Sequence, residues 1–445
     1  MKKVMVLVLA SLFFLTSCFL FKEEVKKEIS FENKTFDNRL DKDGPLTKGC
    51  FPSIGNPKLL VIPVNLDSTE ATDENLEDIK IAFGGTEEET GFESVKTYYQ
   101  KSSYGKLNIE PVVIDEWFTP KHSYSYYDSY VADSEDGSTL ILREALDYYD
   151  SKIDYSDYDY NDDGYIDSVW LIYNCPVDFY NDSLYWAFVY WDYSGNTYDG
   201  KEAYYYGFAG IDFIHPTIEE AAFYDPTDIK VDAHTFIHET GHLLGLDDYY
   251  DYDETKGPSG GLYGADMMDA NIGDHVPISK LLLGWVSPTI VSGVGEIELS
   301  LKPFTTTGEF IIITTHELDS IYDSYYIIEY YTNDGLNAHD KPFSDTLIGG
   351  IRVTEIHAEK NIYYGKVRLN SGDYQTGFKY DNSDEDKLFV DLIYDTSIRY
   401  YDYYSLDIDA LFQVGEELRS RSLTFSLEVT SMDEEVASVK INNQK

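Results

Sequence analysis

The residues of this chain best suited to chemistry are His238, Glu239 and His242, in the stretch His238-Glu239-Thr240-Gly241-His242. In an α-helix residues four apart stack on one face, so both imidazoles can aim a nitrogen at one cation. Glu239 then stands beside that cation without having to bind it. Two histidines and an acid at this spacing read as zinc ligands plus a general base. A hydrolytic zinc site needs a third protein ligand and an open position for water. Gly245 has no Cβ and suits the left-handed conformation that closes a helix. The helix is therefore predicted to end near it, and the chain to fold back and present Asp248, with Asp247 as the rival. His234 shares the helix face, but about 12 Å of helix rise separates it from His242. One ion cannot reach both, so His234 is expected in the core or behind the ligands.

The pattern His-Glu-x-x-His-x-x-Gly-x-x-Asp from His238 to Asp248, followed by Tyr250 and Asp251, resembles the immune inhibitor A family. These are secreted bacterial zinc metallopeptidases, a metzincin-like group with Asp in place of a third histidine. A second block, Gly264-Ala265-Asp266-Met267-Met268 and then Pro277 to Trp285, is similar to the family's methionine turn and the following helix that ends in Gly-Trp. The resemblance implies Asp248 as third ligand and Met268 as the turn residue beneath the zinc. Leu59 to Asn65, Ser94 to Leu107 and Tyr158 to Asp167 extend the likeness, which covers about residues 55 to 290 and continues weakly to about 360. Thr240 stands where the family has an aromatic, and Leu184 to Gly210 matches loosely. What the resemblance implies is a peptidase; it does not name the substrate.

The residue types suggest how such a site would work. Zinc lowers the pKa of bound water from about 15.7 toward about 7, and Glu239 would take the water's proton and deliver it to the leaving amine. Tyr249, Tyr250 and His275 are near enough in sequence to stabilise an oxyanion, and each reads equally well as a packing residue.

A second cation is expected at Asp159, Asn161, Asp163 and Asp167, which stand at positions one, three, five and nine of an EF-hand-like loop with Gly164 at six. Trp170 occupies the twelfth position, where an EF-hand has its bidentate acid, so helix-loop-helix geometry is not implied. Calcium is the functional reading. A turn without metal is the alternative, since 81 of the 445 residues are Asp or Glu.

Met1-Lys2-Lys3, the apolar run Val4 to Leu15 and the box Leu15-Thr16-Ser17-Cys18 look like a bacterial lipoprotein signal. Lipidation of Cys18 would anchor an exported envelope protein in a membrane with its bulk outside the cytoplasm. Residues 19–45 are charged and aperiodic and read as a flexible tether. The expected fold class is α+β. A metzincin-like catalytic domain over 46–290, with interleaved helices and strands, precedes a β-rich, sandwich-like domain over 291–445. Helices are predicted from Ser94 and Ser138, each opened by a serine cap, and a strand over Ser168 to Tyr173. In the second half Glu296–Leu301, Phe310–Thr314, Tyr325–Tyr330, Ile351–Glu355, Phe389–Ile393, Leu423–Val429 and Val436–Ile441 alternate or run apolar at strand length.

A net charge of -47 and an isoelectric point near 4.3 argue against nucleic acid as a partner. The 41 tyrosines are spread along the chain and read as filler for amphipathic positions. Cys50 and Cys175 remain after Cys18, and export would permit a disulfide between them. No CxxC pair or phosphate-binding glycine loop is present. The sequence thus points to a surface-anchored zinc endopeptidase acting on protein or peptide. Its rival is a non-catalytic surface binding protein that keeps the peptidase fold.

Overall fold

The computed structural model describes residues 28–34, 49–66, 71–132, 135–176, 184–215, 231–250, 262, 264–318, 321, 323–338, 349–358, 361–363, 366–368, 382, 388–393, 410–419 and 424–444. Its first half runs β1 (Ser30–Asn33), β2 (Lys58–Val64), α1 (Asp73–Gly84), α2 (Val95–Ser102), β3 (Glu110–Val113), α3 (Gly137–Tyr149), β4 (Val169–Tyr173), β5 (Phe188–Trp191), β6 (Tyr205–Gly210), α4 (His234–Leu243), α5 (Met267–Ala270) and α6 (Pro277–Leu282). The second half continues with β7 (Thr289–Ser292), β8 (Gly295–Leu301), β9 (Phe310–Ile313), β10 (Ser324–Thr332), β11 (Gly349–His357), β12 (Val390–Ile393), β13 (Glu417–Arg419), β14 (Phe425–Met432) and β15 (Ala437–Asn443). Short ribbons and turns connect them. The class is mixed α+β, with several sheets and few helices.

The first sheet has strand order β3-β2-β4-β6-β5. Its first four strands are parallel and β5 pairs antiparallel with β6 at the edge. Strands covered on both faces read as continuous apolar runs, as in the Leu-Leu-Val-Ile of β2 and the Val-Trp-Leu-Ile-Tyr of β4, all buried. Leu59, Val61, Trp170 and Ile172 face a core shared with α1, α2 and α4. Leu60, Ile62, Leu171 and Tyr173 face α3 through Ile141, Leu142, Ala145 and Leu146.

Ser94 caps α2 as expected, its Oγ accepting from Thr97 N at 3.3 Å. For α3 the cap is Asp136 rather than Ser138. The Asp136 carboxylate accepts from Thr139 N at 3.1 Å and from Ser138 Oγ at 2.5 Å, so the serine serves a stronger, charged acceptor two residues upstream.

All seven strands anticipated in the second half are present. A six-stranded sheet, β1-β7-β9-β10-β11-β12, faces a four-stranded one, β8-β15-β14-β13. Ile311, Ile313, Ile328 and Val353 meet Leu427, Val429, Val439 and Ile441 between the two sheets. The alternate residues Phe310, Ile312, Ile327 and Ile356 point the other way and join Met268, Ile278 and Trp285 of the first half in one continuous core. Apolar packing therefore continues across residue 290. Part of the expected tether is also bound into the fold. Residues 30–33 form β1, antiparallel to β7, while Met1 to Cys18 and tether residues 19–27 and 35–45 lie outside the described residues. Among the described residues no helix is long and apolar enough to cross a membrane.

Candidate metal centre

Helix α4 is held by Phe236, Ile237 and Leu243, all fully buried, and turns His238, Glu239 and His242 toward a cleft. At its start Asp232 Oδ1 accepts from His234 N at 2.9 Å and meets His234 Nδ1 at 2.6 Å. The His234 ring stacks on Phe92 with centroids 4.4 Å apart, so this histidine belongs to the core. The helix closes where Gly245 adopts φ 93°, with Gly245 N donating to His242 O and Leu246 N to Gly241 O. That reversal brings Asp248 back over the helix. Its Oδ1 lies 3.1 Å from His238 Nε2 and 3.2 Å from His242 Nε2, and the two Nε2 atoms are 3.1 Å apart. Asp247, the rival ligand, lines the cleft without taking this position.

This triangle fits zinc on two grounds. Tetrahedral ligands about 2.0–2.1 Å from an ion are about 3.3 Å from one another, close to the observed edges. The second ground is proton placement. His238 Nδ1 is 2.7 Å from Met267 O and His242 Nδ1 is 3.0 Å from Leu246 O, and a carbonyl can only accept. Both Nδ1 atoms therefore carry hydrogen, which leaves two neutral-imidazole lone pairs facing a carboxylate oxygen. A triangle of acceptors at such distances would suit a shared cation. Burial pulls His242 down, but the facing Asp248 outweighs it and pushes the imidazole up to about 10. Burial likewise opposes ionisation of Asp248, yet His242 and His238 hold its carboxyl well below the usual range.

Glu239 is 7 % exposed, and its Oε2 has no hydrogen-bond partner among the described residues. Burial raises its pKa, and the neighbouring imidazoles oppose that rise. Of the three oxyanion candidates only Tyr250 lines the cleft, its hydroxyl donating to Asp248 Oδ2 at 2.8 Å. Tyr249 is fully buried against Ser279 Oγ, and His275 packs among Tyr98, Tyr99 and Trp285. The cleft has a volume of about 550 Å³. Its lining includes an aromatic wall of Trp186, Phe188, Trp191 and Phe213, and its further charged residues, Asp247 and Asp269, are both acidic.

Met268 lies beneath α4. A Cβ built on Gly241 would come within 2.5 Å of Met268 Sδ, so only glycine lets the helix and this thioether approach so closely. Thr240 fills its site with polar contacts, donating to Phe236 O at 2.6 Å and accepting from Trp170 Nε1 at 3.3 Å.

The acidic loop is arranged differently. Asp159 accepts through Oδ1 from Asp163 N (3.0 Å) and through Oδ2 from Gly164 N (3.1 Å), and Lys201 Nζ sits 2.5 Å from Oδ2. Asn161 Oδ1 also accepts from Asp163 N, and Asp163 Oδ1 from Tyr165 N. Asp167 is 1 % exposed; its Oδ2 accepts from Tyr160 N, and its Oδ1 has no hydrogen-bond partner among the described residues. Burial, with Asp163 and Asp159 nearby, raises its pKa to about 8. Among the described residues, three or more metal-ligating groups come within 4.8 Å of one another at His238, His242 and Asp248. Cys50 and Cys175 are both buried and are not joined.

Sequence reasoning did not single out the aromatic wall, nor Glu329, Arg352 and Asn382 of the second half. Glu329 and Arg352 carry a signal: each is a charge at a position that strand alternation buries. No family model matches this chain, and no curated protein matches it.

Proposed function

We propose that the chain is a zinc-dependent endopeptidase with a metzincin-like catalytic half, as its resemblance to the immune inhibitor A family implies. The observation that carries this reading is the convergence of His238 Nε2, His242 Nε2 and Asp248 Oδ1 at 3.1–3.2 Å, with Glu239 on the same cleft wall. Bound there, zinc would supply Lewis acidity, lowering the pKa of a water toward about 7 and polarising a carbonyl.

The remaining work falls to side chains. Glu239, with Oε2 unengaged, accepts the proton of the attacking water and passes it to the leaving amine. Tyr250 holds the outer oxygen of Asp248, which leaves the inner one directed at the imidazoles. The edge strand β5 borders the cleft through Phe188 and Val189, so an extended polypeptide finds strand backbone beside the ligands. The Met1 to Cys18 sequence supports an exported protein anchored by lipid at Cys18. Mass spectrometry of the mature amino terminus would test that location.

The decisive experiment measures zinc content and hydrolysis of an unfolded protein, for the wild type and Glu239→Ala. The expected result is one zinc in each and hydrolysis only in the wild type. A wild type that holds zinc and cleaves nothing would instead be a binding protein on a peptidase fold. One that takes up no zinc would falsify the metal reading altogether.

A further inference from the structure

The segment beneath the ligands, Ala265 to Met268, is held from the second half of the chain. It touches the centre twice: Met267 O lies 2.7 Å from His238 Nδ1, and Met268 O accepts from Tyr249 N at 2.9 Å, next to Asp248. Asp266 fastens the segment internally, its oxygens accepting from Met268 N and Val276 N at 2.7 Å each. The carbonyl of Ala265 accepts from Arg352 Nη1 at 3.1 Å. Arg352 stands on β11 directly across from Glu329 on β10, and its Nε donates to Glu329 Oε1 at 2.8 Å. The two residues are 3 % and 1 % exposed. Asn382, fully buried, adds a second tie by donating to both Tyr249 O and Val390 O of β12.

A buried ion pair is a weak source of stability, because desolvation offsets most of its attraction and apolar residues of similar volume pack as well. The fork of a guanidinium does what those residues cannot. It serves the Glu329 carboxylate and the Ala265 carbonyl together, and a single ammonium on a flexible stem does not reproduce that geometry.

We propose that Arg352 is a positioning residue for the metal centre, fixing the Ala265–Met268 segment so that Met267 O sets the ring orientation and tautomer of His238. The inference rests on the zinc reading above and gives the β-rich half a role in that site. Outer partners of ligating histidines commonly contribute about 10–100-fold to metal affinity.

The test uses the full chain. Zinc affinity is measured by competition with a chromophoric chelator, and the visible spectrum of the cobalt-loaded protein reports ligand geometry. The variants are Glu329→Gln with Arg352→Met, which removes both charges; Arg352→Lys; and Val439→Ala, in the core between the two β sheets. Circular dichroism and denaturation follow folding. Expected are a fold retained in all, zinc affinity about 10–100-fold weaker with an altered cobalt band in both Arg352 variants, and an unchanged affinity and band in Val439→Ala. If the double variant does not fold, Arg352→Lys alone decides. Wild-type affinity and spectrum in a folded Arg352 variant overturn this inference alone, as does an equal loss in Val439→Ala. A wild type that takes up neither metal overturns the zinc reading and this inference with it.

Discussion

In the triangle of His238, His242 and Asp248 three acceptor atoms face one another at 3.1–3.2 Å, whereas in the loop from Asp159 to Asp167 the carboxylates turn to backbone amides and to Lys201. Both were expected to take a cation. The difference lies in what each cluster can do without one. A helix has already committed its backbone amides, so ligands on α4 find no local donor and converge on one another. A loop offers uncommitted amides two to five residues away, and Asp and Asn side chains use them. For a divalent cation to enter the loop, Asp159 Oδ2 must exchange the Lys201 ammonium for it. Asp167 Oδ1, buried without a partner among the described residues, is the loop's one remaining point of likeness to the triangle.

The largest effect that would break this comparison is on zinc. His242→Ala is expected to abolish stoichiometric zinc uptake and the thermal upshift that zinc confers, while Asp163→Ala leaves both intact; metal analysis and melting curves check this. Equal losses in the two variants would mean that the loop, too, controls the site.

Next in size is a pH effect. The folded-state pKa of Asp167, about 8, lies above its unfolded value of about 3.9. Between those values the folded chain holds a proton that the unfolded chain lacks, so this group's stabilising contribution is full below about pH 4 and is lost as pH rises through 8. In calcium-chelated buffer, denaturation curves from pH 4 to 8 should show a decline of up to a few kcal/mol that Asp167→Asn flattens. Millimolar calcium that reverses the slope in the wild type would turn the loop into a second metal site.

Smaller still is Gly241→Ala. Its methyl group would press on Met268 Sδ, and overpacking of this kind costs about 1–3 kcal/mol, with zinc affinity falling as α4 shifts. Urea denaturation and chelator competition measure the two losses. The smallest expected change is in Lys201→Met, which removes the charged hydrogen bond to the buried Asp159 carboxylate and slightly lowers the melting temperature in chelator. Differential scanning calorimetry would register it, and no change would show that the Asp159 amide bonds suffice.

Much of the site was legible because its information is local. The four-residue spacing of His238 and His242 survives any tertiary setting that keeps the helix. Gly245 announced the reversal through its missing Cβ, and Asp248, three residues beyond it, took the third place. The strands of the second half were legible from alternation, and Phe310 to Ile313 were apolar throughout because both faces of that sheet are covered. Ser138 was misread as a cap because a serine near a helix start fits the pattern equally well, whereas Asp136 gained the role by its charge. Residues 28–34 read as tether because an edge strand of four residues, with Phe31 exposed, has too short a pattern to register.

By itself the sequence determined which atoms could grip a cation, since helix pitch and a glycine's freedom are properties of the local chain. Tertiary structure alone decided that Asp248 rather than Asp247 closes the triangle, that Lys201 answers the acidic loop, and that Arg352, more than 100 residues from His238, reaches the segment beneath it. Those outcomes depend on which distant groups share a low-dielectric interior. A buried donor must find an acceptor wherever the fold brings one, and residue spacing along the chain carries no record of that meeting.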